Sequence, residues 1–186
     1  LFLILLCACL IAAAARETST RESGPTDLRF QIQSSKTVNA ASMAGADAGA
    51  KINSAIASLP SNGGVVDATM LVGPQVINST VSIPEQVTLL LGPATFTFTG
   101  TGQFVMHAVS ALKGQALGLS NKGTLLTTRS PGLSVLVIAS GTLGATVENI
   151  SFDALSRATA LAPAITFASG GNSSNRKYFR NRLIGA

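Results

Sequence analysis

Glu148 and Asp153 are the two residues of this 186-residue chain whose types and spacing could perform hydrolytic chemistry. They form the close pair of acids within the apolar, strand-like part of the sequence, and hydrolysis of a glycosidic bond needs two carboxylates that face one sugar. If the chain bends at Asn149, however, the two side chains point outward from different faces of the fold. Solvated surface acids are then the simpler interpretation, and the carboxylate pair remains a candidate catalytic site.

His107 is the single histidine of the chain and lies in the segment FVMHAVSAL. If Phe104 and Met106 face the core, His107 faces outward, because side chains alternate along a strand. An imidazole in that place could act as a general base, or it could be a surface or turn histidine. The sequence contains no P-loop, dinucleotide-binding fingerprint, HExxH motif or EF-hand loop. It therefore identifies no cofactor and no metal site.

The first residues, LFLILLCACLIAAAARE, resemble an export signal. No charged residue precedes Arg16, and an apolar block of this length is typical of a signal peptide rather than of a membrane span. Ala13 and Ala15 supply a cleavage site, which predicts a signal peptide over 1–15, a secreted or periplasmic protein and no membrane span after cleavage. A lipoprotein anchored at Cys9 and a core helix are the alternatives. Both cysteines, Cys7 and Cys9, lie in this block, so a chain cleaved after Ala15 would have no disulfide, zinc site or thiol nucleophile.

Composition narrows the class of partner. Charged residues make up 11% of the chain, aromatic residues 5%, and the formal net charge is +5. A basic balance favours an acidic partner such as a polymer of uronic acids, although a solvated basic face is the simpler explanation. The scarcity of aromatic side chains and the lack of a binding motif argue against nucleic acid. Low charge and 46% apolar residues also exclude a chain kept disordered by its charges.

One helix is expected, and it stands near the start of the ordered part. Residues 16–44 are polar with little periodicity and predict a flexible tail, with one short strand over 28–32. Asp47 can cap a helix within 45–62, and Asn62 begins an Asn-Gly-Gly turn after it. The apolar stripe of the helix has the spacing i, i+3, i+4 and i+7 and consists of Ile52, Ala55, Ile56 and Leu59.

After the helix, residues 63–186 contain only short apolar runs bounded by turn residues. Such runs, rich in Val, Ile, Leu, Thr and Phe, predict an all-β domain. No Asn-Gly or Asp-Gly pair lies between alternating apolar flanks, so hairpins are not favoured. A parallel β-solenoid is preferred, and a β-sandwich is the alternative. The predicted strands are 65–66, 76–77, 81–83, 87–91, 96–98, 104–106, 125–126, 133–138, 147–152 and 164–167.

Two self-similarities support stacked coils. Gly64-Val65-Val66 aligns with Gln86-Val87-Thr88, and VENISFDA from Val147 aligns with FRNRLIGA from Phe179. The second alignment superposes Asn149 on Asn181, where an amide can bond the backbone of a bend and stack on the next Asn. In such a solenoid the helix covers the apolar end of the first coil. Because the sequence stops within a coil, truncation at the C-terminus is expected.

These elements resemble the N-terminal part of the pectate-lyase superfamily of single-stranded right-handed parallel β-helix proteins. The resemblance covers about residues 45–186 and is strongest up to residue 100. It rests on a helix opened by an acid, a Pro-Ser-Gly-Gly turn and an Ile-Pro-x-x-Val-Thr-Leu strand. The matching positions are Asp47, Ile52, Ala55, Ile56, Leu59, Pro60, Ser61, Gly63, Gly64, Ile83, Pro84, Val87, Thr88, Leu89 and Gly92.

This resemblance implies an exported protein that acts on or binds polysaccharide, in particular pectin-like polyuronides, or a cell-surface glycan. A non-catalytic surface, adhesive or tailspike-like scaffold is the alternative. Calcium is implied only by the resemblance, because the lyase members of the family bind calcium through carboxylates. The Asn-x-Asp, Asp-Asp, Gly-His-Gly and Arg-x-Lys motifs of the hydrolase members are absent. Whether the protein is an enzyme therefore stays open, and its catalytic residues are expected outside this segment.

Overall fold

The computed structural model describes residues 35–117, 122–128, 130, 132–153, 165–168 and 177–184. Within these ranges the chain forms one α-helix, one short 3-10 helix over Ala40–Ser42, and fifteen strands. The helix, α1, spans Ala48–Ala57. The strands are β1 (Thr37–Asn39), β2 (Gly64–Ala68), β3 (Gly73–Ile77), β4 (Thr80–Ile83), β5 (Val87–Leu91), β6 (Ala94–Phe98), β7 (Gln103–Met106), β8 (Ala111–Gly114), β9 (Leu125–Thr128), β10 (Leu136–Ile138), β11 (Thr146–Glu148), β12 (Ser151–Asp153), β13 (Ile165–Phe167), β14 (Lys177–Phe179) and β15 (Arg182–Ile184).

The strands build three sheets in which every neighbouring pair is parallel. Sheet A has the order β1-β2-β5-β8-β11-β14, sheet B has β3-β6-β9-β12-β15, and sheet C has β4-β7-β10-β13. From β2 onward the chain therefore visits sheets A, B and C in turn and then starts the next coil. This arrangement confirms an all-β parallel solenoid. The β-sandwich alternative is wrong, because its sheets would be antiparallel.

The core lies between the three sheets and is built from stacked apolar columns. Alternating side chains of each strand point inward, and parallel registration places the same position of successive coils side by side. Phe98 and Phe104 meet edge to face in this core, with ring centroids 5.1 Å apart. Three columns are fully buried along several coils: Val66, Leu89, Leu112 and Val147 in sheet A; Phe96, Leu126 and Phe152 in sheet B; Ile83, Met106 and Ile138 in sheet C.

The register of the coils differs by one position from both predicted alignments. Gly64 pairs with Val87, one position beyond its predicted partner. Val147 pairs with Tyr178, one position before its predicted partner. The physical reason is the alternation of the strands, because a slip by one position would place the buried Val66 beside a half-exposed position and turn each strand to the wrong face.

The same correction by one position applies at the bend after β11. Asn149 aligns with Arg180, and both have a left-handed φ, of 58° and 48°. The predicted stacking of Asn149 on Asn181 is therefore wrong. The predicted bonding to the backbone of the bend is observed for Asn181, which accepts from the Ile150 N–H at 3.1 Å and donates to the Val147 carbonyl at 2.9 Å. This amide ties one coil to the bend of the coil before it.

In the described part of the chain, the turns that lead into sheet A carry a left-handed residue at an equivalent position. Gly63, Gln86, Val109 and Gly144 have φ values of 85°, 60°, 52° and 68° and precede equivalent positions of sheet A. Neighbouring corners are joined by backbone hydrogen bonds, such as that from Val109 N to Leu143 O at 2.7 Å. Left-handed geometry is natural for glycine but uncommon for a β-branched residue such as valine.

Helix α1 packs against the first coil. The Asp47 carboxylate caps it as predicted and accepts from Ala50 N–H at 2.8 Å. Ile52 and Ala55 are fully buried, whereas Ile56 and the nearby Leu59 are partly buried at the margin of the core. The apolar stripe is thus confirmed as the packed face, with its centre at Ile52.

The predicted tail over 16–44 is wrong for its last part. Thr37–Asn39 forms strand β1, which pairs in parallel with β2, and Asn39 caps the short 3-10 helix that follows by accepting from Ala41 N–H. So short a strand has little local signal and depends on its partner strand. The predicted signal peptide, the lipidation site Cys9 and the strand over 28–32 lie outside the described residues.

Candidate functional site

A groove of about 300 Å³ runs along the corner between sheets C and A. It crosses three successive coils, because each coil contributes the end of its sheet C strand or the corner that follows. This places polar side chains from distant parts of the sequence in one row parallel to the solenoid axis. The lining residues are Ser82, Pro84 and Glu85 from the first corner, His107 and Ala108 from the second, and Ser140, Gly141 and Thr142 from the third.

The backbone ladder of sheet C positions His107. Beyond β7, His107 N–H still donates to the Ile83 carbonyl at 3.1 Å, and Ala139 N–H donates to the Met106 carbonyl at 3.0 Å. Ser110, which is buried, donates from its hydroxyl to the His107 carbonyl at 2.6 Å. The backbone of His107 is therefore fixed on both sides, and its ring is carried outward while the preceding Met106 faces the core.

The His107 ring contacts a hydroxyl of the preceding coil. Its Nε2 atom lies 3.0 Å from Ser82 Oγ, and the tautomer decides which of the two groups donates. Ser82 is exposed on the outer face of β4, and His107 is half-buried. The pair thus offers a hydroxyl and a ring nitrogen side by side on the groove wall, which can both donate and accept hydrogen bonds.

The third corner lines the groove from the coil after His107 and is held by internal bonds. Thr142 is buried, and its hydroxyl donates to the Ala139 carbonyl at 2.6 Å. Ser140 and Gly141, in contrast, are exposed at the surface of the groove. The wall is therefore a fixed loop with an exposed edge rather than a continuation of the sheet.

Glu85 supplies the charge of the groove. Among the eight lining residues it is the one carboxylate, and no Lys or Arg lines the groove within the described ranges. Glu85 is exposed and follows Pro84 at the end of β4. A ligand in this groove therefore meets hydroxyl groups, one imidazole and one negative charge.

The carboxylate pair suggested by the sequence is not brought together. Glu148 lies on the outer face of β11 in sheet A, where its Oε2 is 3.6 Å from Lys113 Nζ of the preceding coil. Asp153 lies on β12 in sheet B, beyond the bend at Asn149. Neither acid lines the groove. Of the candidate residues from the sequence, only His107 lies in it.

Sequence reasoning missed the companions of His107. Ser82 and Glu85 belong to the coil before it, and Ser140 belongs to the coil after it. Their contact with the groove follows from the coil register alone. The correct register of β4 on β7 would have placed Pro84 beside His107 and Ser82 two positions away on the same face.

Two further observations bear on the class of site. Within the described ranges, no three His, Cys, Asp or Glu side chains lie close enough together to hold a metal ion. No helix of the described part of the chain is long and apolar enough to cross a bilayer.

The fold and the groove together define a parallel β-solenoid with a polar corner groove. Compared with protein-family models, with curated proteins and with solved structures, the chain gives no match. The resemblance to the pectate-lyase superfamily therefore depends on the helix, turn and strand residues between Asp47 and Gly92 and receives no support from these comparisons.

Proposed function

We propose that this chain belongs to an exported β-solenoid protein whose corner groove binds polysaccharide. The observation that carries the proposal is the row of polar side chains from three successive coils in one groove. Stacked strands repeat about every 4.8 Å, which is comparable to the length of one sugar unit in an extended glycan. A polymer lying along the solenoid axis would therefore meet a new set of polar groups at each coil.

The chemistry of the lining suits a hydroxyl-rich ligand. Ser82 and His107 can each donate or accept, and the Glu85 carboxylate accepts strongly from hydroxyl groups. Pro84 and Ala108 supply small apolar surfaces between them. The volume of about 300 Å³ stands at the lower end of ligand sites in proteins, which fits a few units of a chain rather than a large cofactor.

Binding is favoured over hydrolysis. Glycoside hydrolases place two carboxylates on either side of one bond, whereas the described groove contains one. Glu148 on sheet A and Asp153 on sheet B do not line it. This favours the non-catalytic glycan-binding scaffold that the sequence left as an alternative. His107 remains the candidate general base for a lyase reaction, which would leave an unsaturated sugar product.

Other features belong to the same proposal. We propose a right-handed winding, as in the superfamily that the motif resembles, and export through residues 1–15, followed by cleavage or by lipidation at Cys9. We also propose that α1 closes the N-terminal end of the solenoid. In support, Asn53 Nδ2 donates to the Thr80 carbonyl on β4 at 3.0 Å, and Ile52 is fully buried.

Glycan-array binding of the purified protein tests this proposal, with Ser82→Ala and His107→Ala as variants. Each variant loses one hydrogen-bonding group and is expected to bind the selected glycan about two- to tenfold more weakly. Thr97→Ala, on the outer face of β6 in sheet B, is the control and should bind like the wild type. A protein that binds no glycan, or groove variants that bind as well as the control, would refute the proposal. Absorbance of unsaturated products reports lyase activity in the same samples.

A further inference from the structure

We infer that the groove selects an uncharged glycan over a polyuronide. This inference rests on the proposed glycan binding and names the class of glycan. It follows from the charge of the lining. Among the eight residues that line the groove, Glu85 is the one carboxylate and His107 is the one other titratable group. A basic chain with an overall charge of +5 thus presents a locally acidic groove.

The described basic side chains do not line the groove. Lys113 lies 3.6 Å from the Glu148 carboxylate on sheet A, and Lys36 donates to the Ser58 carbonyl at 2.7 Å beside the end of α1. Arg180 occupies the corner between β14 and β15, which joins sheets A and B rather than C and A. At physiological ionic strength, charges beyond about 8 Å are largely screened, so charges far from the groove do not offset Glu85 within it.

A polyuronide would place one carboxylate per sugar unit along this row. Two like charges about 4 Å apart repel by about 1 kcal/mol in water, which corresponds to about a fivefold loss of affinity for one close approach to Glu85. An uncharged glycan avoids this repulsion, and its hydroxyl groups can donate to the carboxylate in charge-assisted hydrogen bonds. The same residue therefore attracts one class of polymer and disfavours the other.

Affinity electrophoresis or calorimetry at physiological ionic strength tests the inference with two polymers, an uncharged galactan and polygalacturonate. The wild-type protein should bind galactan more tightly. Glu85→Gln removes the charge with little change of shape and should raise the affinity for polygalacturonate about fivefold without raising that for galactan. Glu148→Gln is the matched control, because it removes the same charge on sheet A outside the groove and should leave both affinities unchanged.

The possible outcomes separate this inference from the proposed function. If the wild type prefers polygalacturonate, or if Glu85→Gln and Glu148→Gln behave alike, charge selection is wrong while glycan binding stands. If neither polymer binds and the glycan array is also negative, the proposed function fails and the inference fails with it. If the wild type binds polygalacturonate more weakly than galactan and Glu85→Gln strengthens the binding of polygalacturonate, the result supports both glycan binding and charge selection.

Discussion

Replacement of Val109 by glycine tests the corner geometry that shapes the groove. Val109 has a φ of 52° and is 61% exposed, so its backbone is strained while its side chain contributes little packing. At the equivalent corners Gly63 and Gly144 adopt the same conformation without a side chain. Val109→Gly therefore removes the strain without removing a core residue.

The expected change in the free energy of unfolding on Val109→Gly has three parts. A left-handed conformation costs a non-glycine residue about 1–3 kcal/mol, and glycine avoids that cost. Against this, glycine loses about 0.5–1 kcal/mol through backbone entropy. Loss of the buried two-fifths or so of the valine surface costs about 0.6–1.2 kcal/mol more. The opposing parts are of similar size, so Val109→Gly should leave the free energy of unfolding within about 2 kcal/mol of the wild type.

A matched substitution isolates the strain. Val72 is 59% exposed and does not have a positive φ, so Val72→Gly has the same entropy and packing losses with no strain to relieve. It should destabilise the protein by about 1–2 kcal/mol, and the stability of Val109→Gly should exceed that of Val72→Gly by about 1–3 kcal/mol. Urea denaturation followed by circular dichroism measures both values. Equal stabilities for the two variants would refute the left-handed geometry at Val109.

Two further predictions concern the packed parts of the fold. Ile52→Ala should destabilise the protein by about 2–5 kcal/mol, because it empties a fully buried site between α1 and the first coil. Ile56→Ala, at the half-buried edge, should destabilise it clearly less. Equal losses of stability in thermal melts would place the packed face of the helix elsewhere. Thr124→Val should lower the free energy of unfolding by about 1–3 kcal/mol, because the buried Thr124 hydroxyl donates to the Gly92 carbonyl at 2.8 Å. The control Thr127→Val, on the outer face of β9, should change the unfolding midpoint little.

Strands with a strong local pattern could be predicted from the sequence. Val87–Leu91 is predicted over the same residues that the structure shows, because an unbroken apolar and β-branched run stands between clear turn residues. Strand Ala111–Gly114 is missed, since Leu112 is its one large core-facing residue and its neighbours are Ala, Lys and Gly. Its stability comes from pairing with β5 and β11 on either side, which is a property of the stack and leaves no local signal.

The register and the corners were beyond sequence reasoning for a related reason. Left-handed residues are expected at Gly or Asn, but two of the repeated corners use Gln86 and Val109. The corner therefore has no constant residue type by which successive coils could be aligned. His107 could be identified by itself, whereas its contact with Ser82 joins residues 25 positions apart and follows only from the correct register.

The groove exists because one corner departs from the repeat. The connection from β7 to β8 covers only 107–110, whereas the connection from β10 to β11 is longer and covers 139–145. Both corners still reach sheet A through an equivalent left-handed residue, Val109 in one and Gly144 in the other. The longer connection must therefore bulge before that residue, and the bulge over 140–142 walls the groove. The regular coils place His107 and Ser82 in a row, and the irregular corner encloses them. A search for repeats can align the regular coils but not the bulge over 140–142, so the groove cannot be found from the repeat alone.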